Sequence, residues 1–84
     1  MTPRLNRHIV RVAANGDKSE QGLIIFADGV LVAVFSHLKE TVDRELQDRW
    51  FLEAGFGPCD GTLPSPIFSN QDQAEQWVWD RLLG

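Results

Sequence analysis

The side chains best suited to chemistry in this 84-residue chain are one cysteine, Cys59, and two histidines, His8 and His37. A cysteine becomes a nucleophile when a base, a cation or a helix N-terminus lowers its pKa. The neighbour of Cys59 in sequence is Asp60, whose charge acts in the opposite direction. Cys59 is the candidate reactive thiol, but Pro58-Cys59-Asp60-Gly61 reads more simply as a turn. The same three residues with Asp60 could supply zinc ligands. Structural zinc sites, however, draw on close pairs such as CxxC or HxxxH, and these ligands are far apart. The sequence therefore predicts no metal site, no catalytic residue and no cofactor.

The carboxylates give the same reading. Glu40, Asp43, Glu45 and Asp48 alternate with Lys39 and Arg44 in a pattern that suits a solvated helix face. Glu53 lies two residues after Arg49, the spacing of an ion pair along a strand. Gly55, Gly57 and Gly61 lack the lysine and the following helix of a phosphate loop, which argues against a nucleotide site. The sequence thus favours a non-enzymatic role.

The net charge of -4 is unevenly distributed. Residues 1–18 carry Arg4, Arg7, Arg11 and Lys18 against Asp17, while the remainder is strongly acidic. An acidic body opposes the broad attraction that drives nucleic-acid binding, so a nucleic-acid partner is not expected. A single cysteine allows no internal disulfide, and the arginine-crossed start does not resemble a signal peptide. The longest apolar run, Gly22 to Phe35, contains Asp28 and falls short of a membrane span. These features predict a cytoplasmic protein without a membrane partner.

What must position any site is an α+β domain. The sequence predicts an antiparallel sheet of three or four strands near 7–14, 22–28, 30–37 and 49–56. A C-terminal helix at 70–83 would cover one face, and a shorter helix would lie near 38–48. The whole chain reads as one small domain, with a flexible arm at 1–6. Asp28-Gly29 between apolar runs marks a two-residue type I′ hairpin, which needs positive φ at both central residues. An unbroken register from that turn places Ile25 opposite Val32 and Leu23 opposite Val34. Ile24, Phe26, Leu31, Ala33 and Phe35 then share a second face. In the final helix, Ala74, Trp77, Val78 and Leu82 form the apolar stripe, with Ser69 or Asn70 as N-cap.

Both faces of this hairpin are apolar, whereas a half-exposed sheet alternates apolar with polar residues. One helix covers one face. The other requires a loop, a second helix or a partner. The expected function is therefore a protein-interaction or assembly module, most simply a homodimer. Its candidate surface comprises Ile24, Phe26, Leu31, Phe35, Phe51 and Trp79. The alternatives are a small apolar or aromatic ligand held among Phe35, Trp50, Phe51 and Phe56, and thiol chemistry at Cys59. A last expectation concerns residues 57–68, a connection long enough to fold over the second face through Phe56, Leu63, Pro64 and Ile67.

Overall fold

The computed structural model describes residues 2–13, 19–38, 48–61 and 66–84. Five strands form one antiparallel sheet in sequence order: β1 (Leu5–Ala13), β2 (Ser19–Ala27), β3 (Val30–Leu38), β4 (Arg49–Gly55) and β5 (Ile67–Phe68). A 3-10 turn, Gly57–Cys59, lies between β4 and β5, and the chain closes with helix α1 (Gln71–Leu83). The expectation of three or four strands is thus corrected to five. The missed strand, β5, has only two residues, too few to show a period, but it pairs Trp50 with Phe68 and Phe51 with Ile67. The short helix expected near 38–48 falls on residues 39–47, outside those described, and α1 is the one α-helix among the described residues. Leu5 and Asn6, read from the sequence as part of a loose arm, belong to β1.

Asp28 and Gly29 adopt φ of 51° and 82°, the left-handed values that a type I′ turn demands. Ala27 pairs with Val30 and Phe26 with Leu31, as that turn dictates. The register then shifts. Ile25 pairs with Ala33, Ile24 with Val34 and Leu23 with Phe35, leaving Val32 as the extra residue of a β-bulge. A second irregularity separates β3 from β4, where Val34 pairs with Ala54 but Phe35 with Leu52, so that Glu53 is the extra residue. The expected pairs Ile25 with Val32 and Leu23 with Val34 are overturned. Because side chains alternate with period two, a one-residue slip exchanges faces, and Ala33 and Phe35 join Leu23 and Ile25.

Those four residues are fully buried, and they form the core with Leu52, Trp50, Ala74 and Val78. Phe35, Phe68 and Trp77 meet edge-on or tilted, with centroids 5.8 to 6.3 Å apart, joining β3, β5 and α1 through one aromatic cluster. The α1 stripe is as the periodicity predicts: Ala74 and Val78 are buried, and Trp77 and Leu82 pack against the core. Asn70 caps the helix by accepting the Gln73 N–H at 2.8 Å, while the Gln73 side chain accepts the Ser69 N–H at 3.1 Å. The far end of α1 is fastened by Arg81, whose Nε donates to the Pro58 carbonyl at 2.8 Å. Gly55 permits this closure, since a Cβ there would lie 2.0 Å from the Cys59 carbonyl oxygen.

Candidate functional site

The two faces of the sheet differ in what covers them. On the side of α1, Leu23 and Ile25 of β2, Ala33 and Phe35 of β3, and Trp50 and Leu52 of β4 are sealed, and among the described apolar side chains of these strands only Val30, beside the hairpin turn, is strongly exposed. On the opposite side, Ile24 and Phe26 from β2, Leu31 and Val34 from β3, and Phe51 and Ala54 from β4 are all half-buried. Val10 and Val12 of β1 continue this face, closing over Gly22, where an added Cβ would meet the Val12 methyl at 2.5 Å. Ile67 of β5 extends it at the far edge and is 39% exposed. The result is an exposed apolar and aromatic patch on a small α+β domain. By strand spacing and rise, the surface from β1 to β4 spans on the order of 400 Å².

Few polar groups interrupt it. His8 stands edge-on to Phe26, with centroids 5.7 Å apart and an interplanar angle of 84°. Ser36 is buried, and its hydroxyl donates to Glu53 Oε1 at 2.6 Å, a charge-assisted bond that ties down the carboxylate of the second bulge. Arg49, whose sequence position suggested a pair with Glu53, donates from Nη1 to Ser69 Oγ at 2.9 Å.

The expected surface is therefore partly assembled and partly dispersed. Ile24, Phe26, Leu31 and Phe51 share the open face. Phe35 does not; the bulge turns it into the core. Trp79 lies half-buried on α1, in the layer across the sheet from that face. Val34 and Ala54 belong to the face but were hidden in the sequence. An apolar run such as Val30 to Phe35 looks the same in either phase, so nothing local announces the slip.

The residues expected to line an apolar ligand site are also separated. Phe35 and Trp50 are on the covered face, Phe51 on the open one, and Phe56 is exposed. A cleft of about 340 Å³ does adjoin Trp50, but Arg7, Ser69, Asn70, Gln71 and Asp72 give it a polar lining. Within it, Arg7 Nη1 contacts Asp72 Oδ1 at 3.0 Å and Glu75 Oε2 at 3.5 Å.

Cys59 lies in the core layer, 1% exposed, where burial pushes its thiol pKa up and the nearby Arg81 offsets only part of that shift. A thiol held protonated and out of solvent is a poor nucleophile. The two histidines have separate surroundings: His8 is on the open face, whereas His37 stacks on Trp50 with centroids 4.8 Å apart. His37 Nε2 lies 3.7 Å from Asp48 Oδ1, and its buried Nδ1 has no hydrogen-bond partner among the described residues. Among the described residues, no three His, Cys, Asp or Glu side chains gather as a metal site would require.

None of the described helices is long and apolar enough to cross a membrane. Comparison with protein-family models, curated proteins and solved structures finds no match.

Proposed function

We propose that this chain is a non-enzymatic assembly module that pairs with a second copy of itself through the open sheet face. The observation that carries this reading is the contrast across one sheet. The central apolar side chains on the α1 side, Leu23, Ile25, Ala33, Phe35 and Leu52, are sealed, while Ile24, Phe26, Leu31, Val34 and Phe51 keep part of their surface in contact with solvent. A patch of this size matches the largest apolar patch of a typical small protein, and such patches are often functional. Each Å² removed from water contributes about 25 cal/mol before the cost of association is subtracted.

A second copy fits this face because the face is nearly free of charge. The chain as a whole is acidic, so two copies repel, but the central side chains of the patch are hydrocarbon apart from the His8 imidazole and the Ser36 hydroxyl, which holds the Glu53 carboxylate. Repulsion is then left to peripheral groups, where salt screens it. Two sheets packed face to face about 10 Å apart would place both α1 helices on the outside, giving a four-layer dimer with a two-fold axis through the patch.

Analytical ultracentrifugation at two widely separated concentrations tests this. The native chain is expected to pass from monomer to dimer as concentration rises. Phe26→Asp, which would bring carboxylates together across the axis, should remain monomeric with an unchanged far-UV circular dichroism spectrum. A native chain that stays monomeric at the highest soluble concentration would remove the proposal, and so would a Phe26→Asp dimer as tight as the native one.

A further inference from the structure

The first strand offers a second surface, independent of the open face. β1 is nine residues long, lies at the edge of the sheet and pairs with β2 in unbroken register from Leu5 with Ala27 to Ala13 with Ser19. Among the described residues, no strand pairs with its outer side. Which backbone groups are free follows from one hydrogen bond, in which the Asp28 N–H donates to the Arg4 carbonyl at 2.9 Å. In an antiparallel ladder this makes residues 4, 6, 8, 10 and 12 the ones that bond to β2. The N–H and C=O groups of Leu5, Arg7, Ile9, Arg11 and Ala13 therefore point outward.

Such an edge invites pairing, and proteins usually blunt it with a proline, a bulge or charge. Between Leu5 and Ala13 there is no proline and no register shift. Two arginines flank an exposed isoleucine, since Ile9 is 49% exposed and Arg7 and Arg11 share its side of the sheet. An antiparallel copy centred on Ile9 would set Arg11 of one chain against Arg7 of the other, and like charges directly opposite are destabilising. The edge is thus guarded against its own kind but not against a strand of complementary charge. Arg7 is already held by Asp72 and Glu75, whereas Arg11 makes no ion pair among the described residues.

We infer that β1 accepts an extended segment of another protein as a sixth, antiparallel strand, with a carboxylate opposite Arg11, an apolar side chain opposite Ile9 and an uncharged polar one opposite Arg7. The outward backbone groups would supply most of the attraction and the alternate side chains the selectivity.

Two capped heptapeptides test this on the intact chain: Thr-Glu-Thr-Val-Thr-Ser-Thr, and a twin with lysine in place of the glutamate. Binding is read by fluorescence anisotropy and by protection of the Arg7, Ile9 and Arg11 amides from hydrogen exchange. The glutamate peptide should bind about tenfold more tightly than the lysine peptide at low salt. Arg11→Glu should reverse the order. Ile9→Pro is the decisive variant, because the N–H it removes points outward and no bond to β2 is lost. It should keep the native circular dichroism spectrum and Phe26-dependent dimer while losing peptide binding. Equal affinity for the two peptides, or native-like binding by a folded Ile9→Pro, would overturn the inference. Self-association of the native chain that Ile9→Pro abolishes would overturn it too, assigning the edge to a second copy instead.

Discussion

Phe26 and Phe35 sit on neighbouring strands of one hairpin, yet they occupy opposite environments. Phe35 is fully buried against Phe68 and Trp77, while Phe26 is half-buried beside His8 on the open face. Side-chain type does not separate them. What separates them is the bulge at Val32, which decides that Phe35 faces α1, and the presence of α1 on that side alone. A strongly hydrophobic hairpin can therefore serve two purposes, folding through one face and recognition through the other, and the division is set by backbone register rather than by composition.

The largest expected effect comes from the covered side. Phe35→Ala should cost about 3–5 kcal/mol in urea unfolding, whereas Phe26→Ala, measured where the chain is monomeric, should cost about 1 kcal/mol or less. Equal costs would break the contrast between the faces. Next is dimer affinity, which Phe26→Asp should weaken by at least about tenfold, corresponding to about 1.4 kcal/mol, as read by sedimentation. Asn70→Ala removes the cap that accepts the Gln73 N–H and should lower stability by about 1 kcal/mol, leaving the dimer constant of the folded chain unchanged. Asn70 thereby separates loss of the helix layer from loss of the patch.

The smallest effect concerns Cys59. Burial raises its thiol pKa above the ordinary 9.0, so the folded chain holds this proton more tightly than the unfolded chain. The associated stability is fully present below the unfolded value and is lost as pH rises through the folded one. Urea midpoints should decline as pH rises above roughly 9, and Cys59→Ala should lack that part of the decline. Alkylation of native Cys59 near neutral pH should be slower than that of the unfolded chain.

The sequence made some of this legible and concealed the rest for physical reasons. Asp28-Gly29 declared its turn because only a few residue types accept positive φ at both positions. The helix stripe and the strand at Arg49–Gly55 were readable from period. The bulges were not, because Val30 to Phe35 is apolar at every position and carries no phase. Ile67 and Phe68 looked like part of a long connection, although Phe68 completes the aromatic cluster. That connection does not close the open face as far as it is described: Gly57–Cys59 packs toward α1, Phe56 and Ile67 are exposed, and Leu63 and Pro64 lie outside the described residues. Of the candidate surface, four residues came together and two did not, with Phe35 lost to the slip and Trp79 to the layer it occupies.

The bulge at Val32 also makes β3 a strand of two parities. Residues before it count alternation from the turn, and residues after it count from the core. Replacing Val32 with another apolar residue preserves both counts, but deleting it merges them. The shortened strand would then have to choose between keeping its hairpin turn and keeping Phe35 indoors. At this position, the sequence should drift freely in spelling and hardly at all in length.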